Sequence, residues 1–352
     1  MAPMGIRLSP LGVAIFCLVG VGVIYHLYAG VISNRVAAFR SVVRMSKQGS
    51  TVDLRDLLAL SVEAAVLGGK EVKKVREENT LDERSKGKTK EGANELMTLG
   101  DLRSHKKMFY LMKNTYPGLK VNSEEHDNSV GENEVWNRDV PSDILEKIPQ
   151  GQEVPAHTVT VWIDPLDATQ EYTENLSQYV TTMVCVAVDG KPVIGVIHKP
   201  FTGDTAWAFV GQSTNVRARA SYSSSPPKVI VSRSHAGKVK SFIQDAFGNT
   251  TTVTPAGGAG YKVLSLVEPL PHDTTATSDQ ADVYIHVTFI KKWDICAGAA
   301  LVTALGGKMT TLKGEDIDFS GSEGNSGGLV ATVGLDHKAL LEKLPNWVPE
   351  KH

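Results

Sequence analysis

From Leu8 to Asn34 no side chain carries a formal charge, in a chain where 22% of residues are Asp, Glu, Lys or Arg. Within that stretch, Leu11 to Ile32 is dominated by Val, Ile, Leu, Phe, Gly and Ala. As a helix rising about 1.5 Å per residue it would be roughly 33 Å long, enough to cross the hydrocarbon core of a bilayer. The alternatives are weaker. A cleaved signal peptide usually has only about 7–15 apolar residues, and Leu27-Tyr28-Ala29 is a poor small-x-small cleavage site. Tyr25 and Tyr28 sit near one end, as interfacial aromatics do. The chain is therefore expected to carry a short tail (1–10), a retained single-pass anchor (11–32) and a basic stem (33–52). Arg7 precedes the anchor, whereas Arg35, Arg40, Arg44 and Lys47 follow it, so charge alone would leave the C-terminal portion in the cytosol.

The remaining 300 or so residues suffice for one large domain or two packed halves. With 41% hydrophobic residues the chain has the means to build a core. A net charge of −2 argues against an electrostatic nucleic-acid binder. Three cysteines, Cys17, Cys185 and Cys296, cannot form a disulfide framework, and none of their spacings suits a zinc knuckle.

Beyond the stem, Leu54, Leu57, Leu58, Ser61, Val62, Ala65 and Val66 fall on one helical face, and Gly68-Gly69 weakens the pattern. Lys70 to Glu91 holds eight basic and six acidic residues, as a solvated helix end and loop would. A second helix is expected over Asp101–Asn114. From His157 the pattern turns to strands: Val159, Val161 and Ile163 alternate with Thr160 and Trp162. Val180–Val188 and Pro192–His198 flank Asp189-Gly190-Lys191 as a hairpin. Val229–Ser232 and Val283–Ile290 read as further strands, Gly257–Gly260 as a tight turn, and Ile295–Leu305 as a helix capped by Asp294. The mixture lacks a regular βαβ rhythm and predicts a layered α+β enzyme.

The sharpest chemical feature is Trp162-Ile163-Asp164-Pro165-Leu166-Asp167-Ala168-Thr169. A strand delivers Asp164 to its end, Pro165 turns the chain, and Asp167 returns beside it. Two crowded carboxylates resist ionisation unless a cation lies between them, and hard oxygen ligands of this kind suit magnesium. An Asp-Pro turn with Asp167 as a helix cap explains the same eight residues equally well. Glu124-Glu125, Trp293-Asp294 and Asp101 add three more acidic sites at strand ends or helix starts.

Together, Asp164-Pro-Leu-Asp-Ala-Thr169 and Trp293-Asp-Ile-Cys-Ala-Gly298 resemble the two signature motifs of the inositol monophosphatase superfamily, over roughly Asp53 to Leu344. The resemblance implies an alternating α/β layered sandwich in a phosphatase domain at 53–352, with a metal-binding half (53–200) and a nucleotide-contacting half (201–344). It implies a Mg2+-dependent, lithium-sensitive phosphomonoesterase holding two or three metals. Glu124, Asp164, Asp167, Asp294 and the Leu166 carbonyl would be the ligands, and Asp101 and Thr169 would orient the nucleophilic water. Ser123 and Ala168 depart from the glycines many relatives have there.

Ser232-Arg-Ser-His235 and Gly257-Gly-Ala-Gly-Tyr-Lys262 are similar to the segments that hold AMP in the bisphosphate nucleotidase branch. Ser232, His235, Gly258, Lys262 and Asp294 would then bind the substrate, adenosine 3′,5′-bisphosphate. An ordinary strand-to-helix cap accounts for Ser-Arg-Ser-His on its own. The branch implies a Golgi membrane protein of type II topology with a luminal catalytic domain, against the flanking charges, clearing a by-product of sulfation. Inositol phosphate hydrolysis and non-catalytic binding stay open as alternatives. Of two sequons, Asn249-Thr-Thr is expected to be exposed and glycosylated, and Asn175-Leu-Ser to be occluded. Nothing in the residues fixes an oligomeric state.

Overall fold

The computed structural model describes residues 50–88, 92, 94–126, 133–234, 238–273 and 279–347. The predicted tail, the anchor at 11–32 and all but the end of the stem lie outside the described residues. Among the described residues no helix is long and apolar enough to cross a membrane.

Among the described residues, eleven strands build the two larger sheets: β1 (Lys120–Ser123), β2 (Val159–Asp167), β3 (Thr181–Val188), β4 (Lys191–His198), β5 (Thr205–Phe209), β6 (Ser213–Thr214), β7 (Val229–Ser232), β8 (Val253–Ala256), β9 (Val283–His286), β10 (Lys308–Thr310) and β11 (Leu329–Thr332). The first sheet has the order β6-β5-β4-β3-β2-β1 and is antiparallel except where β1 runs parallel to β2. The second has the order β8-β7-β9-β11-β10, with β7 parallel to both neighbours and the other pairs antiparallel.

Helices alternate with these sheets. On one face of the first sheet, α1 (Leu54–Glu77) and α2 (Leu99–Thr115) bury Leu57, Leu58, Ala64 and Met108 against Val161, Ile163, Val184 and Val196. The opposite face presents Trp162, Met183, Cys185 and Ile197 to a middle layer holding α5 (Ala259–Leu264) and α6 (Lys292–Ala304), which packs in turn on Ile230, Tyr284, Leu329 and Ala331 of the second sheet. Beyond the second sheet, α4 (Val239–Phe247) covers Val229, Val231, Val283 and Val330 with Phe242 and Ile243. The short α3 (Thr169–Thr173) follows β2 directly. The period-two pattern of β2 explains this layering, because alternate residues feed two cores and the whole strand is buried.

Several expectations need correction. α1 does not falter at Gly68-Gly69. A Cβ at Gly68 would stand 2.5 Å from Met108 Sδ, and one at Gly69 2.5 Å from His198 Cδ2. These glycines let α2 and β4 come close, a packing role that outweighs their low helix propensity. The charged stretch from Lys70 continues α1 through Glu77, because Val72 and Val75 stay buried beneath the charges. Further on, Arg84–Lys88 pairs with Asn94–Met97 as an exposed hairpin. The predicted strand 283–290 ends at His286, and α6 begins at Lys292 with Asp294 as its third residue. Cys185 in β3 and Cys296 in α6 form a disulfide with a Cα–Cα distance of 5.6 Å, so one covalent link supplements the core.

Candidate active site

β1 and β2 lie parallel, with Ser123 opposite Ile163, so Glu124, just past β1, and Asp164, next in β2, emerge at the same sheet end. The amide of Glu124 extends this pairing by donating to the Ile163 carbonyl at 3.1 Å. Asp164, Leu166, Asp167, Thr169, Glu124 and Asp294 all line one cavity of about 640 Å³. Ser232, Gly258 and Lys262 line another part of the same cavity. His235 lies outside the described residues.

Each acid is held by a local device. Asp101 sits in the first turn of α2, where its Oδ2 accepts from the Thr98 amide at 2.7 Å and the Thr98 hydroxyl at 2.5 Å. Its other oxygen lies 3.0 Å from the Thr169 hydroxyl, which is also 3.2 Å from the Leu166 carbonyl. Burial, opposed by the Thr98 bonds and reinforced by Glu124 and Glu125, pushes Asp101 up to about 7. Asp164 is 1% exposed, accepts from the Leu166 amide at 3.1 Å, and is raised well above the carboxylate range by burial and by Glu124, Asp167 and Asp294. Asp294 accepts from the Lys291 amide at 3.1 Å, so it closes the first turn of its helix from within instead of preceding it. Burial, then Glu124 and Asp167, raise its pKa likewise.

Asp167 has a different surrounding. Its carboxylate accepts from the amides of Ala259 (3.0 Å) and Gly260 (2.8 Å) and from the Thr181 hydroxyl (2.9 Å). It does act as a cap, but of α5 and not of the helix that follows it in sequence. This contact fixes the glycine turn against the Asp-Pro-Leu-Asp motif. Gly258 at the turn has φ 63°, and a Cβ there would meet Asp167 Oδ2 at 2.9 Å, so only glycine fits. Lys262 is 2% exposed and donates to the Gly258 carbonyl at 2.5 Å. Burial lowers its pKa, against the pull of Asp167, Glu171 and Asp294.

The two departures from glycine differ in kind. Ser123 Oγ lies 2.8 Å from His105 Nδ1, tying the end of β1 to α2. Ala168 adopts φ 72°, a left-handed conformation that costs an L residue roughly 1–2 kcal/mol.

Lys86, Glu171 and Tyr284 are among the cavity residues that the sequence did not single out. Lys86, on the exposed hairpin, places its ammonium 2.9 Å from Glu124 and 2.5 Å from Glu125. Glu171 is 3% exposed; it accepts from the Ser234 hydroxyl at 2.8 Å and lies 3.3 Å from Arg233, linking α3 to the end of β7. Tyr284 in β9 is fully buried, lines the cavity, and its hydroxyl has no hydrogen-bond partner among the described residues. Lys86 lay in a stretch whose mixed charges look like solvated surface. Tyr284 lay in an apolar run, and Glu171 carries no signal beyond its place two residues after Thr169.

As the side chains stand, no three acidic, histidine or cysteine groups among the described residues enclose one point. Glu124 is drawn to Lys86, and Asp101 to Thr98. The donor set nevertheless fits a hard divalent cation. It consists of oxygen atoms, its carboxylates raise one another's pKa values, and an ammonium group already lies on one of them.

A carboxylate-lined cavity at the end of a layered α/β/α/β/α core defines a phosphatase of the inositol monophosphatase class, and the chain belongs to that family, whose model matches residues 53–347. It is 67% identical over 351 residues to "Inositol monophosphatase 3" of Danio rerio, covering 100% of both chains. It is 58% identical over 360 residues to the "Golgi-resident adenosine 3',5'-bisphosphate 3'-phosphatase" of Mus musculus, again covering 100% of both. In fold it is similar to the extragenic suppressor protein suhB from Bartonella henselae, with a TM-score of 0.59 and 16% identity, covering 82% of this chain and 97% of that one.

Proposed function

We propose that this chain hydrolyses adenosine 3′,5′-bisphosphate to AMP and phosphate in a Mg2+-dependent, lithium-sensitive reaction. The observation that carries the reading is the shared cavity, in which the glycine turn and Lys262 stand beside the carboxylates and Asp167 bonds directly to that turn. A substrate with two phosphates has one for the acids and their cations and one for Lys262; inositol monophosphate has nothing for the second.

Glu124, Asp164, Asp167, Asp294 and the Leu166 carbonyl would hold two or three magnesium ions, which when bound supply positive charge to the phosphoryl oxygens and the leaving 3′ oxygen. The Thr169 hydroxyl has one proton, and Asp101 is its nearer acceptor at 3.0 Å. Donating there leaves the Thr169 oxygen free to accept from a water molecule, and so to aim the water's lone pair at phosphorus. Asp101, held near neutrality by burial, is matched to take up the proton that the water loses. No covalent enzyme intermediate is needed. Ser232 and Gly258, with His235 from the motif, complete the nucleotide side.

The name of the mouse relative supports placing the reaction in the Golgi. There it would clear the nucleotide left by sulfotransferases and support sulfation of glycosaminoglycans. The anchor at 11–32 would make the protein a single-pass type II membrane protein with a luminal catalytic domain. The buried Cys185–Cys296 disulfide favours that side over the reducing cytosol, against the flanking charges.

The test is hydrolysis by the purified full-length chain in detergent, with magnesium or a chelator. Release of phosphate from adenosine 3′,5′-bisphosphate only with magnesium, at higher kcat/KM than from inositol 1-phosphate, is the expected result. In Lys262→Ala the bisphosphate should lose about one to two decades in affinity, with a smaller loss for the inositol compound. A preference for inositol 1-phosphate would instead support the activity in the name of the Danio rerio relative. Binding without turnover would support a tethered binding protein.

A further inference from the structure

Resting on the nucleotide reading above, we infer that the Tyr284 hydroxyl is a substrate-binding donor for the second phosphate of a nucleotide bisphosphate, acting alongside Lys262. Tyr284 is fully buried, its hydroxyl has no hydrogen-bond partner among the described residues, and it lines the cavity shared by the carboxylates and the glycine turn. Buried tyrosines usually bond through the hydroxyl, because an unmatched donor forfeits its water contacts without return. A phenylalanine would fill the same space in the second sheet without that penalty. The phenol thus makes sense as a group that awaits an acceptor from outside the fold.

The neighbouring residues identify the acceptor. Lys262 places its ammonium 5.5 Å from the Tyr284 ring centroid. That ammonium donates to the carbonyls of Gly258 (2.5 Å) and Ala256 (3.4 Å), so it is fixed at the base of the glycine turn. A buried cation over the ring of a buried hydroxyl donor, both bordering one cavity, suits an anionic oxygen. The carboxylate group and its cations take the phosphate that is cleaved. The phosphate left for Tyr284 and Lys262 is the one retained in the product.

Tyr284→Phe in the full-length protein removes only the hydroxyl. The ligand-free variant should melt at or above the wild-type temperature, since it loses an unsatisfied donor and no internal bond. KM for adenosine 3′,5′-bisphosphate should rise about tenfold with kcat little changed. KM for adenosine 3′-monophosphate and inositol 1-phosphate, which lack the second phosphate, should stay within about twofold of wild type. A lower melting temperature would show that the hydroxyl serves the fold, and equal losses on all three substrates would assign it to the cleaved phosphate; either overturns the inference. An unchanged KM on a bisphosphate that the wild type cleaves well overturns this inference alone. A wild-type enzyme that rejects the bisphosphate overturns the nucleotide reading, and this inference with it.

Discussion

Asp164 concentrates the electrostatic problem of the site in one side chain. Its folded pKa is raised by burial and four acidic neighbours, so its ionisation costs stability as pH rises through the ordinary carboxylate range. Asp164→Asn should therefore stabilise the metal-free protein at neutral pH, seen as a higher melting temperature in chelator, while turnover falls at least about a hundredfold. Near-normal turnover would remove Asp164 from the metal site. His198 presents the opposite sign. It is 5% exposed, its Nδ1 lies 2.8 Å from the Thr205 hydroxyl, and burial lowers its pKa from 6.5 to about 4 despite the pull of Asp204. The unfolded chain then binds more protons between these values, so the stability from neutral His198 is complete above pH 6.5 and is lost as pH falls toward 4. The window is worth about 3 kcal/mol. Urea unfolding at pH 7 and pH 4.5 should show much of that loss, and His198→Gln should flatten the pH dependence.

Glycines control how closely the elements approach. Gly195 lies in β4, where a Cβ would sit 2.2 Å from the Ala297 carbonyl oxygen of α6. Neither strand nor helix backbone can yield locally, so Gly195→Ala should cost about 3 kcal/mol and lower the denaturant midpoint. An unaltered midpoint would mean that α6 shifts freely on the sheet. Such contacts also explain which elements the sequence made legible. β2 to β4, β7 and α2 have strong period or turn signals and lie within a few residues of expectation. The continuation of α1 through Gly68-Gly69 was hidden because its reason is tertiary: the methyl groups that glycine lacks would collide with Met108 and His198. Glu124, Asp164, Asp167 and Asp294, which line the cavity, and Asp101, bonded to Thr169, were legible from two motifs and the ends of predicted elements. Lys86, Glu171 and Tyr284 enter the cavity from an exposed hairpin, a one-turn helix and a buried strand, where nothing local announces them.

The two sheets draw on different stretches of chain, 120–214 for the first and 229–332 for the second. Asp164–Thr169 stands at the end of β2 in the first, whereas Ser232 ends β7 and Gly258–Lys262 follows β8 in the second. Surface chemistry gives a test of where this unit resides. Asn249 lies in an exposed turn, as expected. Asn175 was expected to be occluded but is also exposed, with its amide oxygen 3.1 Å from Arg76 Nε. In cells making the full-length protein, Asn249 should carry a glycan, seen as a mobility shift abolished by endoglycosidase and by Asn249→Gln. Absence of any glycan, together with protease access from the cytosolic side of intact vesicles, would place the catalytic unit in the cytosol.

The Cys185–Cys296 bond closes a loop between residues 111 apart in sequence. Inside that loop fall the Asn249 turn, β7, the glycine turn, Tyr284 and Asp294. A single peptide-bond cut in the 249 turn would therefore leave the two fragments joined. On a denaturing gel, the nicked protein would run as one band until thiol was added, and then as two. Stretched from its ends after full unfolding, the intact chain would come up short by the enclosed segment, about 40 nm at 3.6 Å per residue, until a reductant released it.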